Sequence, residues 1–155
     1  MFALKLFLGI SCVFACVKLS NLKAKNIKEE LYYYSSVCIS CDSLISGLSY
    51  SKQTVKELLN VDYPSETFVL TVRSYFDEKE LVFPSFITTE EEITLNNYFN
   101  LLGKSNSTAQ KTAILSYKDV FLKLQDEKKK KYDKSYSAII KVGFSLGVML
   151  FILVI

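Results

Sequence analysis

The segment DEKKKKYDKSYSAIIKVGFSLGVMLFILVI, residues 126–155, decides the fold of this chain. Charge is concentrated at the start of the segment, and Lys141 is its last charged residue. The apolar part, residues 138–155, corresponds to roughly 27 Å of α-helix at 1.5 Å per residue, which is close to the hydrocarbon thickness of a bilayer. We therefore predict a transmembrane helix over residues 138–155.

A second apolar segment covers residues 1–19 and is interrupted only by Lys5 and Lys18. Long lysine side chains near the ends of a span reach the headgroups, so this segment also predicts a transmembrane helix. The alternative is a signal peptide cleaved near Cys16, which would leave an outward-facing domain on a single anchor. The bulky Phe14 and the lysines that follow the segment favour the uncleaved span.

Lysines flank the inner end of each apolar segment. They are Lys18, Lys23, Lys25 and Lys28 after the first segment, and Lys128, Lys129, Lys130, Lys131 and Lys134 before the second. Because basic residues accumulate on the cytoplasmic side of membrane proteins, this bias predicts that residues 20–137 form a cytoplasmic domain. The run 128–131 is also a candidate contact for anionic lipid.

The central region is electrically neutral. Lys5, Lys18 and Lys141 are the only basic residues outside residues 20–135, which leaves 16 basic side chains against 16 acidic ones. A nucleic-acid-binding domain needs a basic excess there, and Arg73 is the only arginine. The sequence also has no histidine, the usual general acid or base at neutral pH. We predict no binding of nucleic acid, no cofactor and no enzymatic activity.

Apolar residues in the central region recur at helical spacing. On the first long helix they alternate steps of four and three, typical of a helix packed on another helix: Ile27, Leu31, Tyr34, Cys38, Cys41, Ile45 and Leu48. A similar repeat, Ile114, Tyr117, Phe121 and Leu124, predicts one helix from about residue 107 into the second apolar segment. The prediction is an all-α, membrane-rooted antiparallel helical hairpin or bundle with a transmembrane helix at each terminus.

Three short helices are predicted between the two long ones. Ser51 is a candidate cap for the first, which includes Leu58 and Leu59, and Pro64 with Ser65 begins the second. Thr89 and Glu92 form a candidate capping box for the third, which ends at Gly103. Asn106 or Ser107 then caps the second long helix.

Two further motifs contain residue types that are common in redox or metal-binding sites. Cys38 and Cys41 form a Cys-x-x-Cys, but both fall on the packed face of a helix, so we interpret them as core residues rather than redox or zinc-binding thiols. Glu90, Glu91 and Glu92 stand at a predicted helix start, where they complement the helix dipole. We predict no catalytic residue, no cofactor-binding residue and no metal site.

Gly143 and Gly147 form a Gly-x-x-x-Gly in the second apolar segment. Two missing side chains on one helix face allow another helix to approach closely. We expect these two glycines to form a helix-packing face in the membrane, and association with a second copy of the chain is one possible use of it.

The segments YFNLLGKSNSTAQKTAILSYKDVFLKL and GFSLGVMLFILVI resemble the stage III sporulation protein AB family of endospore-forming bacteria. That family has a Leu-Gly-x-Ser-Asp-x-x-x-Gln motif, which Leu102, Gly103, Ser105 and Gln110 match, with Asn106 at the position of the Asp. Its terminal span opens with two glycines, which Gly143 and Gly147 match. The acid-rich first helical region and the Leu-Pro of the family are missing from this chain.

The resemblance implies a non-enzymatic membrane component of the complex between mother cell and forespore, in the mother-cell membrane around the forespore. The cytoplasmic domain of that family is similar to the platform protein of type II secretion and type IV pilus machines. Such a platform couples a cytoplasmic secretion-type ATPase to other membrane subunits of the complex. The alternative function is that of an unrelated bacterial two-span scaffold or assembly factor.

Overall fold

The computed structural model describes residues 2–50, 53–77, 80–104 and 107–154. Across these ranges the chain forms five helices and no strand. They are α1 (Phe2–Tyr50), α2 (Val55–Leu58), α3 (Glu66–Asp77), α4 (Thr89–Leu101) and α5 (Ser107–Val154). The predicted all-α class is confirmed, as is the order of two long helices with three short helices between them.

The chain divides into two compact units. The terminal unit comprises Met1–Glu29 and Lys128–Ile155, and the central unit comprises Glu30–Glu127. The predicted boundaries of the central domain, residues 20 and 137, come from the ends of the apolar segments and stay a prediction. The compact units group the lysine-rich flanks with the apolar segments, because those flanks lie on the first and last parts of the same two long helices.

Within the central unit α1 is buried on most of its circumference. Besides the predicted Tyr34, Cys38 and Cys41, the structure buries further side chains of this helix: Tyr33, Ser36, Val37, Ser40 and Leu44. The prediction of a single packed face was therefore too narrow. The reason is that α1 has neighbours in several directions, since Ser43 contacts α2, Tyr33 contacts α3 and Ser40 contacts α4.

Aromatic rings fill the core of the central unit. Phe68 of α3 packs edge-to-face on Tyr33 with ring centroids 5.4 Å apart, and Tyr98 of α4 packs on Phe121 of α5 at 5.3 Å. Phe99 is completely buried and connects Tyr75 to Tyr98. Edge-to-face pairs at these distances are favourable beyond the area they bury, so they fix the relative positions of α1, α3, α4 and α5 inside this unit.

The start of α2 differs from the prediction. Its N-cap is Thr54, whose hydroxyl accepts from the Glu57 amide at 3.3 Å while the Glu57 carboxylate accepts from the Thr54 amide at 2.7 Å. These contacts make a capping box, and they hold the pKa of the Glu57 carboxyl below its usual value. Ser51, the predicted cap, lies outside the described residues.

The start of α3 agrees with the prediction. Ser65 is buried, and its hydroxyl accepts from the Phe68 amide at 3.1 Å, which is the N-cap geometry. The Ser65 amide in turn donates to the hydroxyl of Ser36 on α1 at 3.2 Å. The Ser65 hydroxyl therefore caps the start of α3, and the Ser36 hydroxyl connects that start to α1.

The capping box of α4 lies one residue earlier than predicted. Thr88, not Thr89, is the N-cap, and Glu91 rather than Glu92 is its partner. The Thr88 amide donates to the Glu91 carboxylate at 2.9 Å. Thr88 has an extended backbone (φ −78°, ψ 160°), so Thr89 is already the first helical residue. Two adjacent threonines followed by three glutamates allow a capping box at either threonine, so sequence spacing alone does not identify the N-cap.

Candidate functional site

The face of α5 that carries Gly143 and Gly147 lies against α1 of the same chain. A Cβ atom built on Gly143 would overlap the Ser20 hydroxyl and lie 2.5 Å from the Ser20 Cβ. One built on Gly147 would lie 3.1 Å from the Cα of Val13. Both positions are tighter than ordinary van der Waals contact, so the missing side chains are what allow this approach.

The α1 side of this contact also contains a glycine. A Cβ atom on Gly9 would lie 2.7 Å from the Phe151 ring. Contacts therefore pair residues in opposite order along the two helices, from Gly9 with Phe151 to Ser20 with Gly143, which is an antiparallel arrangement. We call the contact formed by Gly9, Val13, Cys16 and Ser20 of α1 with Gly143, Gly147 and Phe151 of α5 the glycine interface.

The sequence analysis missed the α1 half of the glycine interface. Gly9, Val13, Cys16 and Ser20 follow one another in steps of four, three and four, the repeat that marks a helix packed on a helix. The small residues at three of these positions were the available signal. It was hidden because hydrophobicity is nearly uniform along this segment, so a search for apolar periodicity finds no preferred face there.

The lysine run 128–131 lies on α5 in the terminal unit, where Lys129, Lys130 and Lys131 are exposed and Lys128 is half-buried. The α1 flank belongs to the same unit, with Lys18, Lys23 and Lys25 exposed. Consecutive residues of a helix point about 100° apart, so the run surrounds α5 rather than forming one face. Lysine side chains of both flanks are therefore exposed on the surface of the terminal unit.

Cys38 and Cys41 are in the core of the central unit. Cys41 is fully buried and Cys38 nearly so, and burial raises the pKa of the Cys38 thiol to about 11 and that of the Cys41 thiol to about 12. At neutral pH both are protonated, and the thiolate is the form that attacks electrophiles and binds metals. Within the described residues no three His, Cys, Asp or Glu side chains are grouped so that they could hold a metal ion.

The described residues of the family motif lie at the end of α4 and near the start of α5. Leu102 is the C-cap of α4 and is 4% exposed, and Gly103 has φ +78°, the left-handed conformation that ends many helices. A Cβ atom on Gly103 would meet nothing within 4 Å, so backbone conformation rather than space favours glycine there. Ser105 and Asn106 lie outside the described residues.

Gln110 is the last residue of the motif and is 3% exposed. Its Nε2 has no hydrogen-bond partner among the described residues. Since a buried amide usually donates at least one hydrogen bond, the Gln110 side chain has unused hydrogen-bonding capacity among the residues that the structure describes.

One ion pair connects the long helices inside the central unit. Lys118 Nζ of α5 donates to the carboxylate of Asp42 of α1, and this bond raises the pKa of the lysine. The Asp42 side chain is 60% exposed, so solvent screens the pair and its contribution to stability is small.

Comparison of the chain with protein-family models, with curated proteins and with solved structures finds no match in any of the three.

Proposed function

We propose that this chain is a two-span membrane protein without enzymatic activity, with its central unit in the cytoplasm. The observation that carries the proposal is the pair of helices α1 and α5, both long and apolar enough to cross a membrane by length and composition. In the terminal unit large apolar side chains point outward, with Phe14 73% and Leu153 73% exposed. Such a surface is stable when lipid or another protein covers it.

The orientation of the protein follows from its lysines. The exposed lysines of both flanks occupy the part of each helix nearest the central unit in sequence, and basic flanks stay on the cytoplasmic side. This supports a hairpin whose two ends both face away from the cytoplasm.

Within this class we propose the role that the family resemblance implies. The chain would be a membrane component of the stage III complex between mother cell and forespore, and its central unit would couple a cytoplasmic secretion-type ATPase to other membrane subunits. The proposal rests on the sequence resemblance alone; of its motif residues, Leu102 and Gly103 end α4 and Gln110 is buried near the start of α5. Helices α1 and α5 each contribute residues to both units.

Topology is tested with reporters in the full chain. Ser85 is exposed in the segment between α3 and α4, which makes it a suitable insertion site. A reporter that works only in the cytoplasm is expected to be active when it is inserted at Ser85. A reporter that works only outside the cytoplasm is expected to be active when it is fused after Ile155. The opposite pattern would place the central unit outside and contradict the cytoplasmic assignment.

The role in sporulation is tested by deletion and purification in the endospore-forming host. Loss of the gene is expected to stop development of the engulfed forespore, and the tagged full chain is expected to co-purify with a secretion-type ATPase. Normal spore formation in the deletion strain would contradict the assignment to this complex. The two-span topology is tested separately by the reporters.

A further inference from the structure

A groove of about 550 Å³ runs between α1 and α5 within the terminal unit. Its walls are apolar and come from both helices, with Leu19 and Leu22 on α1 and Val142 and Leu146 on α5. All four side chains are at least half exposed, so the groove opens to the surroundings of this unit.

One end of the groove is polar. Lys23 and Asn26 line it on α1, after Leu19 and Leu22 in the chain. Each helical residue advances 1.5 Å, so the lysine ammonium and the asparagine amide stand toward the lysine-rich flank. The leucines stand toward the apolar segment. The groove is thus amphipathic along its length, with an apolar body and a cationic, hydrogen-bonding end.

The absence of a side chain at Gly143 shapes this groove. Gly143 lines it, and a Cβ atom at that position would overlap the Ser20 hydroxyl and separate the helices. Because the helices approach closely at the glycine interface, one narrow molecule can contact the α1 wall and the α5 wall of the groove at the same time.

The surrounding charge favours an anion. The terminal unit contains eleven lysines against two acidic residues, Glu29 and Asp133. The exposed Lys18 and Lys25 lie on the neighbouring surface of α1, so the potential around Lys23 is positive.

We propose that this groove binds one anionic phospholipid, with an acyl chain between the walls of α1 and α5 and the phosphate on the Lys23 ammonium and the Asn26 amide. The inference rests on the proposed insertion of the terminal unit in a bilayer. A phospholipid satisfies both ends of the groove, whereas a free phosphate leaves the apolar walls uncovered. Ammonium groups near a membrane surface attract anionic lipid, and the asparagine supplies a directed hydrogen bond.

The test measures retained lipid on the full chain. The protein is reconstituted into vesicles of mixed phosphatidylglycerol and phosphatidylcholine, extracted in mild detergent and analysed by native mass spectrometry. One phosphatidylglycerol molecule per chain is expected to remain bound. Lys23→Gln is expected to lower its retention about fivefold, the effect of one lysine at a membrane surface.

Matched variants separate a built site from general charge attraction. Lys25→Gln removes the same charge from the same helix, but Lys25 does not line this groove, so retention is expected to stay near that of the unaltered chain. Val142→Trp fills the groove and is expected to abolish retention. Val148→Trp adds the same bulk on α5 outside it and is expected to leave retention unchanged.

Equal losses in Lys23→Gln and Lys25→Gln, or equal retention in the two tryptophan variants, would overturn the lipid site. Alkaline carbonate extraction of the cell membranes tests the premise separately. A chain released by carbonate would refute membrane insertion and the lipid site with it, whereas an integral chain without selective retention would refute the lipid site alone.

Discussion

In the terminal unit α1 presents Gly9, Val13, Cys16 and Ser20 to its neighbour, whereas in the central unit the same helix presents Ser36, Ser40, Ser43 and Gly47. Both sets follow steps of four, three and four. The spacing is the same because the geometry of one helix packed on others is the same. The chemistry around the two sets is different.

In the central unit the small residues of α1 carry hydrogen bonds. Ser43 donates to the Leu58 carbonyl at 2.6 Å, and the Ser40 hydroxyl is 3.0 Å from the Tyr98 hydroxyl. Gly47 accommodates the Leu58 side chain, with which an added Cβ would overlap. Around these contacts large aromatic side chains are buried, so removal of apolar surface from water is the main stabilising term.

In the terminal unit the large side chains point the other way. Phe7 is 72% exposed and Phe14 73%, while most residues of the glycine interface are small, with Phe151 against Gly9 as the large one. In lipid, exposure of apolar side chains has no hydrophobic cost, and helix association depends on close van der Waals contact. Small residues therefore set how closely two helices approach, and the outward orientation of the large residues is compatible with lipid around the terminal unit.

Alkaline pH is expected to have the largest effect, confined to the central unit. Burial raises the pKa of Cys38, Cys41 and Tyr63, to about 11, 12 and 12, and raises that of Tyr98 as well. A group with a raised folded pKa contributes its stability fully below its unfolded pKa and loses it as the pH rises toward the folded value. In this window each group lowers the free energy of unfolding by up to about 1.4 kcal/mol per pH unit. The window begins near pH 9 for the thiols and pH 10 for the tyrosines.

Hydrogen exchange monitored by mass spectrometry on the detergent-solubilised full chain checks this pH dependence unit by unit. Protection of residues 30–127 is expected to fall from about pH 9 upward after correction for the intrinsic exchange rate. Constant protection of the central unit through pH 12 would show that these groups ionise in the folded state without cost.

Phe99→Ala is expected to have the next largest effect. Phe99 is fully buried among aromatic rings, so truncation removes their contacts and leaves a cavity, at a cost of about 3–5 kcal/mol to the central unit. Phe14→Ala, the matched change in the terminal unit, is expected to leave the unfolding of the central unit unchanged. Denaturant melts of both variants, followed by tyrosine circular dichroism, measure the difference, and similar destabilisation of the central unit in both would contradict the contrast.

Ser40→Ala tests the hydrogen-bonding role of the small residues. It removes one hydrogen-bond partner of the buried Tyr98 hydroxyl, which also contacts the Cys41 thiol, and is expected to cost about 1–3 kcal/mol. Ser11→Ala is the control, because the Ser11 hydroxyl bonds only the Phe7 carbonyl of its own helix, on an exposed surface. Equal and negligible shifts in the melting temperature of both variants would mean that the serines of the central unit serve close packing alone.

Asp42→Asn is expected to have the smallest effect. It breaks the ion pair with Lys118, which is screened by solvent, and the cost should be below about 1 kcal/mol and smaller still at high salt. The measurement is the melting temperature at low and high ionic strength. A large loss of stability that persists in high salt would show that α1 and α5 depend on this pair more than on the aromatic core.

The sequence predicted the elements of the fold well and the detailed contacts less well. The repeat through Ile114 and Phe121 predicted the continuous helix α5, and Gly103 predicted the end of α4. The N-cap of α2 is Thr54 rather than the predicted Ser51, and that of α4 is Thr88 rather than Thr89, because several Ser and Thr residues compete near each helix start and the backbone decides which is extended.

The candidate site was only half visible in the sequence. Gly143 and Gly147 stand out in an apolar segment, but a glycine pair identifies a packing face without identifying the helix that occupies it. The occupant is found only when α1 and α5 are placed side by side, with Ser20 and Val13 against the two glycines. The hydrogen-bonding serines of α1 were missed because serine on a helix is usually exposed, and only the tertiary structure shows Ser36 and Ser40 to be buried.

A disulfide between α1 and α5 tests whether the glycine interface forms within one chain. A Cβ atom on Gly147 would lie 3.5 Å from the Cβ of Cys16, within the range that a disulfide requires. In a full chain with Cys12, Cys38 and Cys41 replaced by Ala, oxidation of Gly147→Cys is expected to give a monomer whose proteolytic peptides from α1 and α5 are linked. Met149→Cys, on an exposed position of the same helix, is expected to give no such link. Covalent dimers from Gly147→Cys, or no bond at all, would contradict the claim.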